Sequence, residues 1–92
     1  MNAKEYDKRL SELFKIELGK QLKAWREYRG LSQRELGRRA SLNPEHISNV
    51  ENGKHKIFAE TLAHLYSELD IDLNEMYKTV LNEVHWLLEL ET

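Results

Sequence analysis

The chain of 92 residues contains no cysteine, one proline and only four glycines. Without cysteine there is no disulfide framework and no thiolate ligand for a metal, which suits a reducing compartment. The scarcity of proline and glycine leaves long stretches in which nothing interrupts a helix. The alternation of β-branched and polar residues that marks strands is also missing, so an all-α chain is expected. No apolar run approaches the roughly 20 residues that a bilayer-spanning helix needs. The opening Met1-Asn2-Ala3-Lys4-Glu5-Tyr6-Asp7 lacks the apolar core of a signal peptide. A cytoplasmic location with no membrane partner is the expectation. Catalytic patterns are missing too. His46, His55, His64 and His85 never pair at i, i+4 around a carboxylate in the metalloprotease manner, and there is no glycine-rich phosphate loop or nucleophile elbow. No enzymatic activity, metal or cofactor is expected.

What is present is 40% hydrophobic and 33% charged, which fits one domain with a modest core. The net charge of −2 conceals an asymmetry. Residues 15–56 carry ten basic side chains (Lys15, Lys20, Lys23, Arg26, Arg29, Arg34, Arg38, Arg39, Lys54 and Lys56) against five acidic ones. Residues 57–92 carry Lys78 against eight acids, while residues 1–14 balance. Taken alone, such a run describes a solvated surface. Its coincidence with the segment below makes it the footprint of a phosphate-contacting face.

That segment is Leu31 to Gly53. Ser32, with Glu35 three residues on, forms a capping box that opens one helix. Asn43 followed by Pro44 opens a second, as an N-cap and the one helical position where a missing N–H costs nothing. Gly53 supplies the stop. Two helices this short cannot bury their apolar sides unaided, so they belong to a larger helical domain. A tight turn between them, and polar residues opening the second, match the arrangement that enters a DNA major groove.

Periodicity places the rest. Tyr6, Leu10, Leu13 and Phe14 share one face of residues 4–14, either a separate helix or the leading part of the next. Residues 17–28 form a helix with Leu18, Leu22, Trp25 and Tyr28 on one side, closed by Arg29-Gly30. Further helices are expected at 32–40, 43–52 and 58–68, the last with Phe58, Leu62, Leu65 and Leu69 at core spacing. A long final helix starts at a second capping pair, Asp72 and Glu75. The chain thus reads as one domain: an N-terminal extension (1–14), a helix-turn-helix core (15–77) and a C-terminal helical extension (78–92). On the final helix, Val80, Leu81, Val84, Leu87 and Leu88 continue an apolar stripe beyond what the core requires. Folding back onto the module or the N-terminal helix would bury it. A homodimer interface, with Trp86 nearby, is the favoured expectation.

Three pieces, Leu31-Ser-Gln-x-Glu-Leu36, Ile47-Ser-x-Val-Glu-Asn-Gly-Lys54, and Thr61-Leu62 with Ile71-Asp-Leu-Asn-Glu-Met76, resemble the phage-repressor/Cro-like helix-turn-helix family over about Leu18 to Tyr77. The resemblance implies a five-helix DNA-binding domain. It implies that Gln33 contacts a phosphate at a helix N-terminus. Asn52 is implied as another backbone contact, extended by Lys54 and Lys56, and Arg34 and Arg38 are expected near phosphates. Asn43, Pro44, Glu45, His46 and Asn49 occupy the groove-facing start of the recognition helix, with Asn43 favoured as a cap over a base reader. Leu36, Ala40, Ile47 and Val50 match buried positions. Glu51 is implied to pair with Arg26 or Arg29. Three departures are visible: Ser41 where the turn often has glycine, Gly37 where alanine is usual, and Ile57 where proline is frequent. Glu45 can accept from cytosine N4, Asn49 can pair with adenine and His46 can donate to guanine, yet no arginine stands at these positions. Direct base readout is therefore expected to be sparse.

The leading expectation is a homodimeric transcriptional repressor that binds double-stranded DNA at a pseudo-palindromic operator. The alternatives are an antitoxin whose acidic C-terminal segment binds a toxin, and the controller of a restriction–modification system.

Overall fold

Asn2 opens a helix that runs without a break to Tyr28. Its side-chain oxygen accepts from the Glu5 amide at 2.8 Å, and its Nδ2 donates to the Glu5 carboxylate at 2.9 Å. Between the two segments expected from periodicity stand Lys15 and Ile16, neither of which ends a helix, so both segments form α1 (Ala3–Tyr28). A computed structural model describes residues 1–92 as five helices: α1, α2 (Gln33–Ala40), α3 (Pro44–Glu51), α4 (Ala59–Leu69) and α5 (Leu73–Glu91). At about 1.5 Å per residue α1 is roughly 39 Å long, close to the molecule's 42 Å long axis.

Two packings hang on α1. Its C-terminal half lies against α3, and its N-terminal half runs antiparallel to α5. Phe14 stacks on Tyr77 with ring centroids 6.0 Å apart. Near the free ends Arg9 grips Glu91, with Nη2 at 2.6 Å and Nε at 2.9 Å from its oxygens. Met76, Val80, Val84 and Leu88, spaced by four, form the buried edge of α5, and Leu13 is buried on α1. This corrects the dimer assignment for Val80, Val84 and Leu88: the stripe meets α1 of the same chain. The uninterrupted α1 is the reason, since it extends the surface against which α5 can bury. Each of these side chains contributes about 1.5–3 kcal/mol by leaving water. Leu87 is half-buried and Leu81 stays at the rim.

α4 starts one residue later than its spacing suggests. Phe58 is the N-cap residue, makes no side-chain cap bond and is 84% exposed. It is therefore outside the core that Leu62, Leu65 and Leu69 join. α5 opens as expected, with Asp72 accepting from the amides of Asn74 (2.9 Å) and Glu75 (3.2 Å). Between them Asp70 takes the left-handed conformation. Arg29 closes that corner by donating to the carbonyls of Leu69 (2.8 Å) and Asp70 (3.0 Å), groups a helix end leaves without partners. The buried Tyr66 hydroxyl bonds the Met76 thioether, and burial pushes that phenol above its ordinary pKa.

Candidate nucleic-acid interface

α2 begins at a real cap, but only half of the expected box forms. Ser32 Oγ accepts from the Glu35 amide at 2.9 Å. The Glu35 carboxylate does not reach back to Ser32. It binds Arg38 at 2.6 Å and Arg39 at 3.2 Å, and these guanidinium hydrogen bonds pull it down to about 2. All three side chains are at least partly solvated, so the cluster shapes charge more than it stabilises. An exposed arginine of this kind can exchange a carboxylate for a phosphate at little cost.

The turn keeps the conformation that glycine would give. Ser41 sits at φ 56, ψ 42, left-handed, despite its side chain. One turn before it, within α2, the glycine at 37 is a steric requirement. A Cβ there would lie 2.5 Å from the Leu42 carbonyl oxygen, whose residue donates its own amide to the Gly37 carbonyl at 2.8 Å. The departures at 37 and 41 thus belong to one tightened turn.

α3 is capped as its sequence indicates. Asn43 Oδ1 accepts from the Glu45 amide at 2.8 Å, and Pro44 follows at the first helical position. The cap role occupies the acceptor of Asn43. Ile47 and Val50 are buried, while Asn43, Pro44 and Glu45 are exposed, and His46, Ser48 and Asn49 are half-buried. At the far end Asn52 Nδ2 lies 3.4 Å from Ser48 Oγ. The chain then turns at Gly53, where φ is 72, and the Asn49 carbonyl accepts from the amides of Lys54 (2.8 Å) and His55 (3.3 Å). This folds the 54–57 segment back so that His55 Nδ1 meets His46 Nδ1 at 3.3 Å.

The unit is locked to α1 by a buried ion pair. Arg26 donates through Nε to Glu51 Oε2 at 2.6 Å and through Nη2 to Oε1 at 2.9 Å, and its Nη1 donates to the Leu31 carbonyl at 2.7 Å. Gln33 Nε2 adds a bond to Glu51 Oε1 at 3.0 Å. Of the two partners implied for Glu51, Arg26 is therefore the one used, and Arg29 serves the α4 terminus. Gln33, expected on a phosphate, is tied through its amide nitrogen to the recognition helix. Its amide oxygen and the first N–H groups of α2 remain for an anion. Burial makes this salt bridge costly to break from one side, because the remaining charge would be stranded.

Sequence reading gave no role to Gly19. A Cβ at this α1 position would fall 2.2 Å from the Val50 carbonyl oxygen and 2.9 Å from that of Glu51. The last turn of α3 rests directly on the backbone of α1. An isolated glycine in a helical pattern was the only available signal.

Charge on this face is more selective than the count of ten cations suggests. Lys20 pairs with Glu17, Arg26 with Glu51, and Arg38 and Arg39 with Glu35, while Arg29 is spent on carbonyls. Lys15, Lys23, Arg34, Lys54 and Lys56 make no ion pair. Arg34 stands at the N-terminus of α2, and Lys54 and Lys56 follow α3, on either side of the recognition helix.

An exposed, capped second helix flanked by unpaired cations defines the class: a DNA-binding helix-turn-helix regulator of phage-repressor/Cro-like type. Residues 17–75 match the helix-turn-helix domain family, and the chain belongs to it. Among solved structures, the clp gene regulator ClgR from Corynebacterium glutamicum is similar at 22% identity and TM-score 0.75, over 85% of this chain and 83% of that one. A second ClgR structure aligns at 23% identity and TM-score 0.70, over 75% of this chain and 88% of that one. The restriction-modification controller protein C.AhdI from Aeromonas hydrophila is similar at 28% identity and TM-score 0.63, over 66% of this chain and 92% of that one. No curated protein matches the chain significantly by sequence. No helix is long and apolar enough to cross a membrane.

Proposed function

We propose that this chain is a cytoplasmic, homodimeric repressor that places α3 in the major groove of each half of a pseudo-palindromic operator. The observation that carries the reading is the α2–turn–α3 unit itself. Its inner side is fixed by Arg26, Gln33 and Glu51, and its outer side offers Glu45, Asn49 and the unpaired Arg34, Lys54 and Lys56. Phosphate contacts set the register, and the few base contacts come from Asn49, Glu45 and His46. With Val80, Val84 and Leu88 spent inside the chain, the dimer surface moves to the outer side of α5. There Trp86 and Leu90, one turn apart, are 55% and 67% exposed, an apolar pair that association would cover.

Selection of bound sequences from a random duplex pool tests this reading. The expected product is a symmetric site whose halves are about one helical turn, roughly 34 Å, apart. Affinity for it falls steeply with salt, with a slope of about −0.9 per phosphate contacted. No enriched sequence, or an affinity indifferent to salt, refutes it. A controller of a restriction–modification system is the second reading, favoured by the likeness to C.AhdI over 92% of that chain. An operator upstream of its own gene and of an adjacent endonuclease gene would select it.

A further inference from the structure

Beside the helix-turn-helix lies a cleft of about 360 Å³, formed where the N-terminal half of α1, the rim of α5 and the loop joining α3 to α4 come together. Its apolar lining is Leu10, Phe14, Leu18, Val50, Ile57 and Leu81. Lys15, His55 and Lys56 stand in its wall against one acid, Asp7. The volume lies within the range of about 300–1,000 Å³ usual for small-molecule sites, and so does the composition of apolar wall with few polar groups. Neither lysine has an ion-pair partner in the chain. We infer that this cleft binds a small amphipathic organic anion, its hydrocarbon part against the six apolar side chains and its acidic head beside Lys15 and Lys56, and that occupancy weakens DNA binding.

Two features argue for that occupant over a neutral one or a second copy of the chain. The unpaired charge in the wall is cationic by two lysines to one carboxylate, so an anionic head is complementary. The space is also concave and bounded by α1, the end of α3, the loop after it and α5, whereas the exposed pair Trp86 and Leu90 lies outside its lining. The effect on DNA, which rests on the DNA-binding reading above, follows from shared residues. Lys56 belongs to the loop after the recognition helix, and Val50 belongs to that helix. An anion that engages Lys56 removes one phosphate contact. At 0.15 M salt one contact is worth about five-fold in affinity, and its loss lowers the salt slope by about one. By linkage, saturating DNA weakens the anion by the same factor.

Decanoate is a suitable probe, titrated below its micellar range into the full chain and followed by calorimetry. Saturable binding with one site per chain is expected, with none for decyltrimethylammonium, which has the same tail and the opposite charge. Leu81→Glu and Lys15→Glu, each checked for native helix content, are expected to abolish it. Operator affinity measured with saturating decanoate should drop about five-fold. Absence of saturable decanoate binding overturns the proposal, as does equal binding of the cation or unchanged binding in both variants. Decanoate binding with unaltered operator affinity overturns the coupling. If Leu81→Glu splits a dimer in sedimentation and decanoate does not bind, a second copy covers the cleft and the proposal fails. Operator affinity without decanoate is measured separately, so failure of the DNA-binding reading is distinguishable from failure of the cleft.

Discussion

Gly19→Ala sets two physical effects against each other, and the distances decide between them. On helix propensity alone the change should stabilise α1 by about 1 kcal/mol, since glycine inside a helix is that much worse than alanine. The new Cβ, however, would lie 2.2 Å from the Val50 carbonyl oxygen and 2.9 Å from that of Glu51. Relief requires α3 to retreat by about 1 Å to restore ordinary van der Waals contact. The obstruction is backbone on both sides, so no side-chain rotation resolves it. Overpacking of this kind costs about 1–3 kcal/mol when side chains can adjust, and backbone opposition puts it at or above the upper end. The net expectation is a destabilisation of about 2 kcal/mol or more. The retreat would also pull Glu51 away from Arg26, so operator affinity should fall even in protein that remains folded. Urea unfolding of wild type and Gly19→Ala measures the first effect, and binding at a concentration where the variant is still native measures the second. Ala24→Gly, at an exposed position of the same helix, supplies the propensity reference and should cost about 1 kcal/mol. A Gly19→Ala variant as stable as wild type, or more stable, would show that α3 does not rest on α1 as described.

Ser41→Gly relieves a left-handed serine at φ 56 and should raise stability by about 0.5–1 kcal/mol after glycine's own entropy is counted. A urea midpoint that stays or drops refutes this. Glu35 is held at about 2, below the ordinary 4.5, so its contribution is fully present above pH 4.5 and lost as pH falls toward 2. Glu91 is displaced in the same direction by Arg9. Acid titration of helix content should therefore be flatter between pH 4.5 and 2 in Glu35→Gln than in wild type, and superimposable curves count against the pairing. Glu51→Gln strands the buried Arg26 charge and should cost about 3–5 kcal/mol by chemical unfolding; a loss under 1 kcal/mol would mean the pair is dispensable. Truncation after Tyr77 removes Val80, Val84 and Leu88 from α1. Circular dichroism should show helix lost beyond the deleted segment, as residues 3–14 fray, and a loss confined to the deleted residues would be inconsistent with the α1–α5 packing.

Legibility in the sequence followed the range of the interactions. Caps act over three residues, so Ser32, Asn43 and Asp72 could be placed as helix starts without any tertiary information, and each accepts the expected amide. Glu35 shows the limit even there. Its carboxylate had three candidate partners within four residues, and two arginines outcompete one backbone amide. Phe58 had the right spacing for the core but stands at the N-cap of α4, where the helix axis has not yet brought that face inward. The apolar stripe of α5 was legible as something that must be buried, whereas its partner was not. Periodicity reports that a face is apolar and carries no information about which surface covers it.

Continuity of α1 settles most of what periodicity left open. Had the helix broken near Lys15, the N-terminal segment and α5 would have been independent arms, each with an apolar side in need of a partner. Because it does not break, one rigid element carries three attachments in sequence: Leu13 in the α5 packing, Gly19 under the end of α3, and Arg26 on Glu51. The orientation of the recognition helix is thereby fixed by a helix that lies outside the helix-turn-helix motif itself. The same element forms one wall of the cleft at Leu10, Phe14 and Lys15, on the turns that precede Gly19. A ligand there presses on the helix that seats α3 and on the loop that follows it, so the N-terminal extension is where an effector would have most leverage on DNA.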